Sequence, residues 1–411
     1  MNFEFFISKR ISKSLFNESN VSSRIIKIGI TAIAIAIVII LISISTGFGL
    51  QKEIKKKITT LNGDLKISYY DSNNSYISVK PINLSQINKE KWFDSKKIEH
   101  FYTYANKAVL FKTLENFDGG ILKGLDSNFP LNNLETYLID GRFLDRTKPE
   151  RLEIIISSQT SDKLNLKVGD FINSFFYDFL KSKFPKKRIF QVVGIFNSGF
   201  ADFDQNFSFT NLPVLQKING WSNDEVGGIE LILKNQFKNS NYKKTIYSEL
   251  PSNIDLQGVD DLYSGIFNWI SMFDFNILVI LTIVIFVAIL NITIAIIILV
   301  IEKSRLIGLI NIFGAPYRKI QSIFLLVSLN VIIRGLVIGN IIGLILILLQ
   351  DQFKLIRLDP NNYFVNVLPV EISLPNIVFV NFLLFVFSIM AFWIPMLIIS
   401  RMEIIKVLKI K

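Results

Sequence analysis

Four long stretches of this chain are almost free of charge, and they are unevenly spaced. Ile28–Gln51, Phe275–Ile301 and Ile372–Ser400 contain no charged residue, and Ile320–Gln350 contains only Arg334. Each is longer than the roughly 20 apolar residues a helix needs to cross a bilayer. The pattern predicts transmembrane helices at 28–51, 274–301, 320–350 and 372–400. Residues 52–273, between the first and second, mix polar and apolar positions as a soluble domain does. The expected fold is an α-helical integral membrane protein with four transmembrane helices and a large mixed α+β domain inserted between helices 1 and 2.

Within 52–273 the apolar periods are short. Asp64–Tyr70 alternates, with Leu65, Ile67 and Tyr69 on one side, as a half-buried strand does. Leu152–Ser157, Ile189–Phe196 and Glu230–Leu233 read as further strands, and Asn211–Asn219 and Asn241–Leu250 as helices. The apolar run Phe171–Leu180 is followed by the basic, proline-containing stretch Lys181–Arg188 and then by a second apolar run. That order predicts a long β-hairpin with a basic tip, although an ordinary solvated turn has the same composition.

Charge sets the orientation. Thirteen basic residues lie in the head (Lys9, Arg10, Lys13, Arg24, Lys27), in the loop after span two (Lys303, Arg305, Arg318, Lys319) and in the tail (Arg401, Lys406, Lys409, Lys411). The connection 351–371 holds only Lys354 and Arg357. Because Lys and Arg are retained on the cytoplasmic side, segments 1–27, 302–319 and 401–411 are expected there, and 52–273 and 351–371 outside. The inserted domain has 29 basic and 26 acidic residues, so the net charge of +11 is mostly topological and implies no nucleic-acid partner. The first span is too long for a signal peptide, and no small-residue cleavage site follows it. With no cysteine there is neither a disulfide framework nor a thiolate metal site.

The search for catalytic chemistry yields little. His100 is the sole histidine, in a Glu99-His100-Phe101 context that reads as surface or structural. No phosphate-binding P-loop occurs. Asp202 with Asp204, and Asp260 with Asp261, read as solvated acidic faces without metal-ligand spacing. Neither a catalytic nor a metal-binding residue is expected. Arg334 lies mid-span, where contact with lipid is costly, so it is expected to face the bundle interior with neutral partners, Asn291 and nearby backbone carbonyls or water; a snorkelling or tolerated charge is the alternative.

The loop after span two carries the sharpest motif. If Glu302–Phe313 is helical, Leu306, Leu309, Ile310 and Phe313 form an apolar stripe able to seat in a partner's groove. Gly314 suits a left-handed helix end and Pro316 the first turn of the next helix, predicting a rigid elbow. Arg305–Ala315, reading R-L-I-G-L-I-N-I-F-G-A, is similar to the R-E-I-G-I-L-K-A-L-G-A segment of the FtsX/MacB-type permeases of ABC transporters. Leu166–Asp170, Val192–Phe196, Leu215–Trp221, Leu358–Tyr363 and Leu368–Glu371 resemble, in matching order, segments of the lipoprotein-releasing (Lol) permease branch. Leu306 stands where that family has Glu and Asn311 where it has Lys, which puts charged contacts from this loop to a partner ATPase in doubt while the apolar stripe remains.

The resemblance implies a non-catalytic subunit in the bacterial inner membrane, with its large domain in the periplasm. It implies a second permease subunit and a separate ABC ATPase that carries the ATP and Mg, this chain itself binding no cofactor. An acylated lipoprotein would be extracted from the membrane lipid and passed to a periplasmic carrier. On this reading Arg305, Leu306, Gly308, Leu309, Ile310, Phe313 and Gly314 couple to the ATPase. Phe179, Phe184, Pro185 and Arg188 form the carrier-binding hairpin, and Phe48, Leu50, Phe267, Ile270 and Phe273 line the cargo's lipid path. The contrasting class is an FtsX-like regulatory protein that transmits force to cell-wall hydrolases, whose external domain would be about half this size. A macrolide-exporter permease with a fused ATPase is disfavoured by the 27 residues before span one.

Overall fold

The computed structural model describes residues 3–17, 21–71, 76–78, 80–86, 96–130, 134–177, 184–234 and 242–401. The chain divides into two compact units. One comprises Met1–Gln51, Ile270–Arg357 and Val367–Lys411, and the other Lys52–Trp269 with Leu358–Asn366.

The first unit is a helical bundle. Four helices are long and apolar enough to cross a membrane: Ile26–Asn62, Ser264–Glu302, Tyr317–Phe353 and Leu374–Leu397. The first begins at Val21 and has 42 residues, so at about 1.5 Å per residue it outruns a hydrocarbon core of roughly 30 Å. Ile33, Ile37, Ile292, Val300, Ile320, Ile332 and Leu384 form the shared core. Span three approaches span one through a ridge of small residues, Gly335, Gly339 and Gly343, spaced four apart. A Cβ at Gly339 would stand 2.7 Å from the Ala34 carbonyl oxygen, so only glycine lets the backbones meet there.

Spans three and four are tied by a reciprocal amide pair. Asn340 donates to Asn381 at 2.6 Å and Asn381 donates back at 2.9 Å. Each amide also donates to a carbonyl one turn earlier on its own helix, that of Leu336 or of Ile377. Span four, expected as one helix over 372–400, is two helices, Leu374–Ala391 and Trp393–Arg401. Pro395 explains the break: it has no N–H for the carbonyl of Ala391 and its ring crowds that oxygen. The Thr293 hydroxyl of span two donates to this carbonyl at 3.4 Å.

The second unit is built on a ten-stranded mixed sheet, ordered β12-β1-β11-β3-β4-β9-β6-β8-β5, with β7 pairing to β3 and β8. The strands are β1 Leu65–Tyr69, β3 Ile98–Lys112, β4 Phe117–Leu125, β5 Leu138–Gly141, β6 Glu153–Ser157, β7 Phe171–Phe176, β8 Lys186–Phe196, β9 Phe207–Asn211, β11 Gly228–Leu233 and β12 Ile254–Gly258. A separate small pair joins β2 Ile82–Asn83 to β10 Glu225–Val226. The helix Leu212–Asn219 buries Leu212, Val214, Leu215 and Ile218 in the sheet's core and ends on left-handed Gly220.

The core also holds charge. Lys123 on β4 donates to both oxygens of Glu230 on β11, at 2.7 and 2.8 Å, and all but a few per cent of each side chain is buried. Asp204, expected to be solvated, is buried instead: it accepts from the Ser198 amide and hydroxyl and from the Gly199 amide, closing the turn before helix Ala201–Asn206. Burial holds its carboxyl above the ordinary range, and those hydrogen bonds oppose the shift. His100 is an exposed side chain on β3. Among the described residues no group of three His, Cys, Asp or Glu is placed to hold a metal ion.

Candidate functional site

The elbow is a helix, Ser304–Ile312, set off from span two at Lys303. Its amphipathicity divides the expected stripe. Ile307 and Gly308 are buried, with Leu306 and Ile310 packed partly against the bundle core. Leu309, Ile312 and Phe313 point outward with Arg305, and Phe313 is 87% exposed. The outward apolar set is therefore Leu309, Ile312 and Phe313; the sequence reading missed Ile312 and included the half-buried Leu306 and Ile310.

The geometry that presents this patch is a Schellman ending. The Gly314 amide donates to the Asn311 carbonyl at 2.9 Å and the Ala315 amide to the Ile310 carbonyl at 3.2 Å, with Gly314 at φ +86. Both bonds need the left-handed turn that glycine takes without strain. Pro316 follows as the cap residue of span three, one position before its first turn. The buried Asn311 side-chain nitrogen has no hydrogen-bond partner among the described residues.

The second site is the hairpin. β7 and β8 pair from Phe171 opposite Gln191 to Phe176 opposite Lys186. Ile172, Phe176 and Phe190 anchor it in the core, and the Lys186 ammonium donates to the Ile218 carbonyl at 2.8 Å. Phe184 stands outward at the tip, 79% exposed; Pro185 is half-buried and Arg188 exposed, its guanidinium donating to the Lys187 carbonyl. Phe179 lies outside the described residues.

The expected lipid path is only partly exposed. Leu50 and Ile270 are buried, at 4% and 1% exposure, so within this chain they are packing residues, a correction to the sequence reading. Phe48, Phe267 and Phe273 are half-buried. In the same stretch of span two the outward apolar side chains are Met272, Phe275 and Leu278. Arg334 is also placed differently: it is exposed, and its Nε donates to Asn330, one turn earlier on its own helix, at 2.9 Å. This bond runs along the helix, to an amide one turn away.

The structure adds a clasp that sequence reasoning missed. Within the second unit Lys57 donates to the Phe364 carbonyl at 2.6 Å, and the Phe364 ring meets Phe200 and Trp269 edge to face at 5.2 and 5.7 Å. Phe364 holds φ +59, a strained value for an aromatic residue that these contacts maintain. The loop between spans three and four is thereby fastened to the domain inserted after span one.

Four spans, a mixed α/β domain between the first two and a rigid elbow with an exposed apolar tip define an ABC-transporter permease. Residues 28–262 match the MacB-like periplasmic core domain and residues 278–404 the FtsX-like permease C-terminal region. The chain belongs to this permease family, as a multi-pass inner-membrane protein. It is 24% identical over 302 residues to the lipoprotein-releasing system transmembrane protein LolC of Haemophilus influenzae, covering 69% of this chain and 72% of that one. The LolC protein of Buchnera aphidicola is 25% identical, covering 72% and 74%. LolE of Haemophilus influenzae is also 25% identical, covering 59% and 61%. The periplasmic region of MacB from Actinobacillus actinomycetemcomitans aligns with a TM-score of 0.36 at 12% identity, covering 50% of this chain and 92% of that one.

Proposed function

We propose that the chain is one permease subunit of a transporter that extracts lipoproteins from the inner membrane and hands them to a periplasmic carrier. A separate ATPase with bound ATP and Mg drives it, and a second permease subunit completes the membrane pathway. Both termini and the elbow lie in the cytoplasm. Supporting this reading are the similarity to LolC and LolE and one structural observation: Phe313, Ile312 and Leu309 stand exposed on a connection flanked by basic residues. An exposed apolar tip on a rigid elbow is a surface for a protein groove.

The energetics favour a protein path for the cargo. Each buried lipid CH₂ contributes about 0.8 kcal/mol, so acyl chains leave the bilayer only toward another apolar surface. Met272, Phe275 and Leu278 offer such a surface on span two. Arg334, mid-span on an exposed face, would cost at least about 2.5 kcal/mol against lipid and is better placed against water or a second subunit. Phe184 at the hairpin tip is the contact assigned to the carrier. The test is a photo-crosslinker at position 313 of the full chain in native membranes. An adduct with an ATP-binding subunit supports the proposal; an adduct with a periplasmic protein, or none with an ATPase, overturns it.

A further inference from the structure

A cavity of about 130 Å³ opens over β1 and β12. Its floor is a polar sheet face: Lys66 lies opposite Gln257 and Ser68 opposite Asp255 in the antiparallel register, so four polar side chains share one side. Tyr104 from β3, Lys80 and a second carboxylate, Asp71, also line the cavity.

Lys66 is the unusual member. Only 8% of it is exposed, yet its ammonium has no hydrogen-bond partner among the described residues. Its ammonium lies over the Tyr104 ring, 5.3 Å from the ring centre. The carboxylate whose charge it feels, Glu230, already takes two hydrogen bonds from Lys123. An ammonium has three donors, and that of Lys66 lines the cavity. A ligand oxygen entering the cavity would satisfy them, with the Ser68 hydroxyl and Gln257 amide as neutral neighbours. Asp255 on the same face and Asp71 in the lining disfavour a doubly charged anion. Lys80 stays at the side, its ammonium over the Tyr69 ring at 5.0 Å.

We propose that this cavity binds a small monocarboxylate, its oxygens received by the Lys66 ammonium and its body lying among the tyrosines of the lining, Tyr69, Tyr70 and Tyr76. The carboxylate belongs either to a short free acid or to a peptide C-terminus. The site does not depend on the transport reading and stands or falls separately.

The test is calorimetric titration of the full chain in detergent, at neutral pH and constant ionic strength. The probes are butyrate, inorganic phosphate, and a tetrapeptide as free acid and as amide. Saturable butyrate binding is expected, weakened at least tenfold by Lys66→Met and by the cavity-filling Ser68→Leu, and unchanged by Lys148→Met on the surface. Tighter binding of the free-acid peptide than of butyrate, with loss in the amide, supports the site and assigns it to chain ends; the reverse order supports it and assigns it to free acids. If Lys66→Met does not fold, Ser68→Leu carries the test. Absence of binding by butyrate and peptide, phosphate binding as tight as butyrate, or indifference to both substitutions overturns the proposal.

Discussion

The glycine ridge of span three makes a graded prediction. An added Cβ at Gly339 meets the Ala34 carbonyl oxygen at 2.7 Å, its Cα at 2.9 Å and the Ile37 Cβ at 2.9 Å; at Gly335 it meets the Ile33 Cβ at 2.6 Å and the Ile30 carbonyl oxygen at 3.1 Å. At Gly343 the tightest contact is the Leu41 Cδ1, at 3.0 Å, the movable end of a side chain. Alanine gains about 1 kcal/mol of helix propensity over glycine at each position. Overpacking against backbone costs about 1–3 kcal/mol. Gly339→Ala and Gly335→Ala should therefore lose up to about 2 kcal/mol, while Gly343→Ala should be neutral or slightly stabilising. Thermal unfolding of the three purified variants in one detergent measures this order. Gly339→Ala as stable as Gly343→Ala would refute close packing of spans one and three.

Other predictions concern polar groups. Asn340→Leu and Asn381→Leu should each destabilise the bundle, and a double-mutant cycle should return a coupling of about 0.6–1.7 kcal/mol; additive effects would mean the amide pair is not formed. Arg334→Leu should leave the isolated chain folded despite losing the bond to Asn330, while lowering the yield of the two-permease assembly; unchanged assembly would place Arg334 toward lipid. Burial holds the Lys66 ammonium at about 8, below its ordinary 10.5, with Glu230 opposing the shift and Lys123 reinforcing it. The unfolded chain then binds more protons between these values, so the Lys66 contribution to stability rises as pH rises across that window. The interval corresponds to about 3 kcal/mol. Lys66→Met should therefore raise Tm at pH 7.5 and lose most of that advantage by about pH 10; a constant difference would contradict the burial.

The four spans and the inserted mixed domain were readable because charge-free runs of this length have few alternatives. Strands β6 and β11 were visible as short runs rich in Ile and Leu. The long β3 was not: its middle reads Tyr104-Ala105-Asn106-Lys107-Ala108, with Asn106 and Ala105 buried and little β-propensity to mark them. β4 was hidden by Gly119-Gly120 and by Lys123, whose burial depends on Glu230 more than a hundred residues away. The elbow's glycine and proline were legible, but which of its apolar residues faces outward depends on the neighbouring helices. Arg334 was expected inside the bundle but is exposed, with a bond to Asn330, four residues away on its own helix. Gly335, Gly339 and Gly343 carried a signal in their spacing. The clasp at Phe364 carried none, because it joins residues 57, 200, 269 and 364 only in the folded chain.

The central claim is that this chain moves lipoproteins under the drive of a separate ATPase. The chain, tagged and purified with the subunits that accompany it, can be reconstituted into liposomes holding a fluorescent triacylated lipoprotein, with a periplasmic carrier outside. Adding ATP should transfer the lipoprotein to the soluble carrier fraction, and Phe313→Ala should abolish transfer while leaving the chain inserted. ATP hydrolysis that leaves the lipoprotein in the membrane, or transfer that is independent of ATP, would contradict the account.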